Sequence, residues 1–311
     1  MPLSQPCGCS PPRMPNFFAS KIISAAPAGR GAYVSTLGII FWANGTGSLM
    51  RFDTVANVQL ADLLVNVAFS LRSVAYNPVD GFLYSYDQNA GSYEKIDKLT
   101  GAAINIAVSA GGGNDMIYSP SGTAIFASGG GVEIDRINIA GVVAPSVGVT
   151  PQGVGGLAYS TINGQIVVGL TSGVAVVDPV ALTVVKSNNG IVYRPVSYGP
   201  NSGLILAGRN VAGANGVIAF DPVAPAFAAL SVPPAGKFQS GGYSALTGLH
   251  YMIETATGVC WFIADTLAFG DVVGQYAIGI PTLFCNDSFP VETGNAVYVP
   301  AGGSLIVNIF K

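Results

Sequence analysis

Short apolar runs separated by turns repeat along almost the whole chain, and the clearest copy spans residues 74–97. An apolar run ending in Tyr76 is followed by a turn that closes on Gly81, a second apolar run, a loop, and a third run ending at Asp97. Runs of roughly four to eight residues rich in Val, Ile, Tyr and Phe between Gly and Pro are typical of β-strands. Because convincing helical stripes are lacking, the pattern predicts an all-β protein.

The unit occurs seven times, each copy marked by an aromatic residue and a Gly five residues later, or four in the third copy. The marker aromatics are Tyr33, Tyr76, Tyr118, Tyr159, Tyr198, Tyr243 and Phe289. The third apolar run of each unit closes on Asp53, Asp97, Asp135, Asp178, Asp221, Asp265 or Asn308. A fourth strand-like run follows, and four strands in about 40–50 residues is the period of a propeller blade. The sequence therefore predicts seven four-stranded blades around a central channel.

The repeat resembles the Tyr-Val-Thr-Asn (YVTN-like) type of β-propeller repeat. The matching pieces are residues 77–81 with Ile96 and Asp97, residues 119–122 with Ile134 and Asp135, and Val177 with Asp178. The resemblance covers roughly residues 30–311 and implies a seven-bladed β-propeller. Propellers host enzymes, lectins and scaffolds, so the function has to be argued from individual residues.

Residues 1–20 differ from the rest and predict an extended Pro-rich arm, followed by a single propeller domain at residues 21–311. The arm residues expected to make contacts are Pro2, Pro6, Cys7, Cys9, Pro11, Pro12, Phe17 and Phe18. Without a basic start and an apolar core, the segment is not expected to be a Sec signal peptide. Proline favours an extended course and disfavours a helix. We expect the arm to dock on its own ring or on a neighbouring subunit.

The last unit stops after its third strand, which would leave an open ring with an exposed sheet edge. We expect residues 21–26, with Ile22 and Ile23, to supply the missing outer strand. The blades then span approximately residues 30–67, 68–109, 110–150, 151–190, 191–234, 235–276, and 277–311 with 21–26.

Charge and hydropathy exclude two classes of partner. Only 9% of residues are charged, the net charge is −3 and the isoelectric point is near 5.0, so a nucleic-acid partner is not expected. The mean hydropathy is +0.51, but the apolar residues lie in short interrupted runs, so membrane insertion is not expected either.

Polar residues precede several inner strands and predict a cup at the channel mouth. The candidates are Arg30, Arg72, Asn114, Asp115, Arg194, Asn286 and Asp287. Such a cup could bind a small anion, or Ca²⁺ through the carboxylate and amide oxygens of Asn114, Asp115, Asn286 and Asp287, in a pattern that resembles the calcium-dependent lactonase propellers. The alternative is that these residues line a wet channel mouth, some of them as ion pairs.

The single histidine, His250, would share one strand face with Glu254. The two could form an acid/base pair, or belong to the polar face of a second strand away from the channel. With a single histidine, no Ser-His-Asp triad can be assembled without His250, and no His cluster for zinc or iron can be assembled at all. Cys260 is expected to be a buried apolar residue, whereas Cys7 and Cys9 are too close for a mutual disulfide but could cross-link to a neighbour.

Scarce catalytic side chains and the arm favour a non-enzymatic structural or interaction propeller. It would be a subunit of a larger assembly such as a bacteriophage virion, tail- or fibre-associated with a role in host contact. It would bind other protein subunits through the arm, with a homo-oligomer as one form, and no cofactor is expected. One alternative is a hydrolase using a divalent metal at Asp115 and Asp287, and another is a sugar-binding propeller. The last would need exposed aromatic rings beside polar groups.

Overall fold

The fold consists of seven four-stranded antiparallel sheets arranged as the blades of a propeller. In the computed structural model, the described residues are 13–106, 115–128, 133–138, 143–148, 153–161, 163–170, 173–189, 193–209, 216–221, 229–232, 236–254, 257–265, 272–278, 290–301 and 306–311. Every regular element within these ranges is a β-strand, so the predicted all-β propeller is confirmed.

In each of blades 1 to 6, the four strands follow one another in chain order from the channel outward. Blade 1 has β2 (Ala32–Val34), β3 (Ile39–Ala43), β4 (Ser48–Asp53) and β5 (Val58–Leu64). Blade 2 has β6 (Leu71–Tyr76), β7 (Leu83–Asp87), β8 (Ser92–Ile96) and β9 (Ala103–Ile106). Blade 3 has β10 (Asp115–Ser119), β11 (Ala124–Ser128), β12 (Glu133–Asn138) and β13 (Val143–Gly148).

Blades 4 to 6 repeat this order, and blade 7 differs. Blade 4 has β14 (Gly153–Tyr159), β15 (Ile166–Leu170), β16 (Gly173–Asp178) and β17 (Thr183–Asn189). Blade 5 has β18 (Tyr193–Gly199), β19 (Leu204–Arg209), β20 (Val217–Phe220) and β21 (Ala229–Val232). Blade 6 has β22 (Phe238–Ser244), β23 (Leu249–Glu254), β24 (Val259–Ala264) and β25 (Val272–Ala277). Blade 7 has β26 (Val291–Glu292), β27 (Val297–Ala301), β28 (Ile306–Phe310) and, outermost, β1 (Phe17–Ile22).

The marker glycines sit where the inner strand turns into the second strand. Gly81 and Gly203 have φ angles of 78° and 76°, and the backbone N–H of each donates to the carbonyl four residues earlier. A side chain is disfavoured in this left-handed region, which explains why the aromatic-to-Gly spacing recurs in the sequence.

The ring closes through the N-terminal strand, as predicted, but the strand lies further upstream. β1 pairs antiparallel with β28, with Phe17 opposite Phe310 and Ile22 opposite Ile306. The predicted residues 21–26 overlap it only at its end. The arm therefore ends before Phe17 rather than after Ser20, because the aromatic pair Phe17 and Phe18 suits a strand.

Ile23 lies outside the closing strand and packs between blades 7 and 1. It is 2% exposed and clusters with Ile40, Trp42 and Ile309, whereas Ile22 is 83% exposed. Leaving the sheet after Ile22 lets the next side chain enter this interblade core. The sequence interpretation, which gave both isoleucines one role in the strand, is corrected.

The described residues just before β1 dock on the rim of the same ring. Asn16 exchanges two backbone hydrogen bonds with Lys311. Met14 packs over Gly274 of β25, where a β-carbon would come within 2.7 Å of its sulfur, and Phe17 stacks on Tyr276 at 4.7 Å between ring centroids. This segment therefore joins the outer edges of blades 6 and 7.

Candidate functional site

Six of the marker tyrosines, one from each of blades 1 to 6, line two adjoining cavities in the central channel. The larger cavity, about 430 Å³, is lined by Tyr118, Tyr159, Tyr198 and Tyr243. The smaller, about 310 Å³, is lined by Tyr33, Tyr76 and Tyr118. Because each tyrosine lies near the end of its inner strand, the repeat brings one phenol ring per blade to the same level of the channel.

Arg30 lines both cavities and is the one charged residue among the described residues that do so. Its Nε donates to Asp115 Oδ1 at 2.7 Å, and its Nη2 donates to Asp115 Oδ2 at 3.0 Å and to the Leu157 carbonyl at 2.7 Å. The Leu157 backbone N–H in turn donates to Asp115 Oδ2 at 2.6 Å. Asp115 is 1% exposed and the Arg30 side chain 21%. This bidentate pair braces blade 1 against blades 3 and 4 and neutralises the charge in the channel.

The hydroxyls of Tyr118, Tyr198 and Tyr243 in the larger cavity remain protonated at neutral pH. Burial raises the pKa of Tyr118, Tyr198 and Tyr243, and nearby carboxylates raise it further, Asp80 for Tyr118 and Asp265 for the other two. A phenol that keeps its proton can both donate and accept a hydrogen bond. The cavity wall therefore offers flat apolar rings with neutral hydroxyl groups.

The other predicted channel-mouth residues are not brought together with Arg30 and Asp115 in the described part of the chain. Arg72 does not line either cavity, and its Nε donates to Gln88 at 2.7 Å. Arg194 belongs to β18, but its side chain lies outside the description. Asn114, Asn286 and Asp287 lie outside the described residues.

A cation site in the channel is not built from the described residues. Both oxygens of Asp115 already accept hydrogen bonds from Arg30 or Leu157, and a guanidinium in bidentate contact occupies the side of the carboxylate that a cation would need. Within the described ranges there is no cluster of three or more His, Cys, Asp or Glu side chains. The proposed calcium ligation by Asp115 and Asp287 stays a prediction.

His250 is part of a buried polar link between blades 5 and 6. Its Nδ1 is 2.8 Å from Ser197 Oγ, and its Nε2 is 3.8 Å from Asp265 Oδ1, which is longer than a hydrogen bond. The Asp265 carboxylate also accepts the backbone N–H groups of Asn201 and Ser202 at 2.8 and 3.0 Å. Burial lowers the pKa of His250, which favours the neutral ring; a neutral ring with its proton on Nε2 would direct that proton to the carboxylate and accept the Ser197 hydroxyl at Nδ1.

These groups have the residue types of a Ser-His-Asp triad, but the geometry serves packing. Ser197 is 1% exposed although it is among the residues that line the larger cavity, and the 3.8 Å separation of His250 and Asp265 leaves the three groups out of hydrogen-bonded triad alignment. Burial alone would raise the pKa of Asp265, yet the nearby His250 ring and the hydrogen bonds from Ser202 and Asn201 lower it to about 2. The carboxylate thus acts as a fixed acceptor that joins the turn of blade 5 to blade 6.

The predicted pairing of His250 with Glu254 is not observed. Glu254 Oε2 accepts from Thr257 Oγ1 at 2.9 Å and from Trp261 Nε1 at 3.3 Å, both in its own blade. His250 is fully buried rather than on a polar strand face, because both faces of a second strand pack against neighbouring blades. Cys260 is buried as expected.

Sequence reasoning missed the tyrosines as a site and used them only as repeat markers. The signal was present, since one aromatic at the same place in every unit implies one aromatic at the same height in the channel. The partnership of Ser197, His250 and Asp265 carried no comparable signal, because the three residues are 53 and 15 positions apart.

Comparison with known proteins supports the fold. No family model and no curated protein sequence matches the chain. A solved structure of Kuenenia stuttgartiensis hydrazine synthase is similar with a TM-score of 0.74 and 16% identity, over 93% of this chain and 96% of that one. No helix in the described residues is long and apolar enough to span a membrane. The structure and this neighbour agree on a seven-bladed β-propeller, and the Tyr-Val-Thr-Asn repeat type stays a prediction.

Proposed function

We propose that the chain is a non-enzymatic interaction propeller that serves as a subunit of a larger assembly. A bacteriophage virion, with the propeller associated with a tail or fibre and contacting the host, is the setting we propose for it. The observation that carries the proposal is an apolar rim segment, Met14 to Ile22, at the outer edge of blades 6 and 7. Its exposed side chains are Met14 at 39%, Phe17 at 40%, Phe18 at 50% and Ile22 at 83%.

The position of this segment supports contact with another protein subunit. β1 is the outermost strand of blade 7, and no other described strand pairs with its outer edge, so that edge can pair with a strand of another chain. The outer strands of blades 1, 2 and 4 also expose Leu64, Ile104 and Val185. Apolar groups at a free edge in a chain with so few charges favour association between subunits.

The chemistry of the ring supports a non-enzymatic role. The third-strand carboxylates of Asp53, Asp97 and Asp178 each accept backbone N–H groups of the following turn. Asp135 accepts the hydroxyl of Tyr93 from the neighbouring blade at 2.7 Å. These acids hold turns and blades in place, which is a structural use of groups that an enzyme could use as acids or bases.

The test is the native mass, by light scattering, of the full chain beside a version that starts at Arg13. This truncation keeps every described contact, including those of Met14 and Asn16. We expect a defined oligomer in both cases, held more weakly in the truncation, because the truncation keeps the rim segment and loses only residues 1–12. Monomers in both cases would contradict self-assembly through the rim segment.

A point variant separates the rim from the arm. Ile22→Thr keeps a strand-favouring residue but removes exposed apolar area, and we expect subunit affinity to fall by roughly 3- to 10-fold. Val55→Thr is the matched control, since Val55 is 84% exposed in the turn between β4 and β5, away from the rim segment. Equal effects of the two changes would contradict a role for this rim.

A further inference from the structure

We propose that the tyrosine-lined cavity binds a neutral saccharide. This site lies on the inner strands and is independent of the assembly role proposed for the rim. The cavity of about 430 Å³ falls in the range of roughly 300–1,000 Å³ that small-molecule sites occupy. Its wall is made by four consecutive blades, so a bound ring would be enclosed by side chains from several directions.

The wall matches a sugar in both shape and hydrogen bonding. A pyranose has C–H faces that can lie flat on an aromatic ring, and hydroxyl groups around its edge that both donate and accept. Tyrosine presents the same combination, because it has an apolar ring face and a hydroxyl group that can both donate and accept a hydrogen bond. Tyr118 and Tyr159 are half-buried, and the exposed Thr161 adds a further hydroxyl at the same cavity. Apolar ligands alone would leave these hydroxyls without partners.

The charge of the site selects for neutral ligands. Arg30, the one charged residue among the described residues lining the cavity, is held in a bidentate ion pair with the buried Asp115, which neutralises its charge. An anionic ligand would have to compete with Asp115 for the Arg30 guanidinium. A cationic ligand would be repelled by the same guanidinium. The Tyr243 hydroxyl has hydrogen-bond partners in Asn201 and Asp265, and the Tyr198 hydroxyl has one in Ser160, which leaves Tyr118 and Tyr159 as the principal contacts.

The experiment is saturation-transfer NMR on the full chain with three matched sugars. N-acetylglucosamine is neutral, glucosamine is cationic and glucuronate is anionic, and all three share one ring geometry. N,N′-diacetylchitobiose and cellobiose serve as longer neutral probes. We expect saturation of C–H protons in the neutral sugars at millimolar concentration, and binding of the charged ones weaker by roughly tenfold.

Variants locate the binding within the ring. Tyr159→Phe removes one hydroxyl and keeps the ring, and we expect roughly 3- to 10-fold weaker binding. Tyr159→Leu removes the aromatic face and should abolish the transfer to C–H protons. Tyr276→Phe is the matched control, because Tyr276 is a half-buried tyrosine on the outer strand of blade 6. It should bind like the natural chain.

Three results would overturn the proposal. The first is no saturation of any of the neutral probes by a folded protein. The second is tighter binding of glucuronate than of N-acetylglucosamine, which would make the cavity an anion site at Arg30. The third is displacement of bound sugar by a synthetic peptide of residues 1–13 at lower concentration than any sugar, which would assign the cavity to the chain's own Pro-rich segment.

Discussion

Removing the carboxylate of Asp115 should destabilise the propeller more than any surface change. Asp115→Ala leaves the Arg30 guanidinium, four-fifths buried, without its anion, and leaves the Leu157 N–H without its acceptor. Breaking a buried pair by removing one partner costs about 3–5 kcal/mol. Since a fifth of the Arg30 side chain still reaches water, the lower half of that range applies to the ion pair, and the lost Leu157 bond adds about 1 kcal/mol. We expect a total of about 4–5 kcal/mol.

A double-mutant cycle measures how much of this cost belongs to the pair. Arg30→Met keeps the aliphatic stem and removes the charge, and alone it should also cost about 3–5 kcal/mol because Asp115 is then buried without a cation. In the double variant no charge is left unpaired, so the combined cost should fall short of the sum by about 2–4 kcal/mol.

The assay is equilibrium unfolding in urea, since guanidinium chloride would screen the charges. If the free energy of unfolding falls with urea concentration at the same slope in all four proteins, then each exposes the same surface area on unfolding. The coupling should persist at high salt, because buried pairs are screened less than exposed ones. Additive costs, with a coupling below about 0.5 kcal/mol, would refute the idea that this pair braces three blades.

Three further changes test other parts of the ring. Burial raises the carboxyl pKa of Glu94, so the stability it contributes is present below the unfolded pKa and lost as pH rises through the folded pKa. Glu94→Gln should therefore gain about 1–2 kcal/mol at pH 7 in thermal unfolding, and an equal gain at low pH would contradict this. Gly199→Ala would place a β-carbon 2.6 Å from Asp265 Cγ and should cost about 2–4 kcal/mol in urea, whereas Gly294→Ala, with open space around it, should cost under about 1. Burial raises the pKa of the Cys260 thiol and keeps it from reagents. In a variant whose other three cysteines are changed to serine, a thiol reagent should therefore label Cys260 only as fast as the protein unfolds. Fast labelling under native conditions would contradict this.

The number of blades and the closure of the ring could be predicted because each depends on local chemistry that repeats. In five of the seven units the Gly that follows the inner strand lies in the left-handed region, as at Gly81 and Gly203, and its constant distance from the aromatic residue marks the unit. The missing outer strand of blade 7 followed from counting strands. Its position was less predictable, because the choice between residues 17–22 and 21–26 depends on whether Ile23 can be buried between blades 7 and 1.

The partners of the polar residues could not be predicted from the sequence. Arg30 and Asp115 are 85 positions apart in the sequence, and they meet because the ring brings the inner edges of blades 1 and 3 together at the channel. His250 was misjudged for a different reason. Alternation of polar and apolar residues along a strand indicates a solvent-exposed face only when no other element packs on that face. In β23, five of six residues are buried because neighbouring blades cover both faces.

The rim and the channel are separable, which allows the two proposals to fail independently. β1 is the outermost strand of blade 7, and two other strands of that sheet lie between it and the inner strand. Ile22 has 83% of its surface exposed at that outer edge, while Tyr159 lies on an inner strand. Ile22→Thr should therefore change the native mass and leave sugar binding intact, and Tyr159→Phe should do the reverse. If each variant altered both properties, the arm and the cavity would belong to one site, with the segment of one subunit bound in the channel of another.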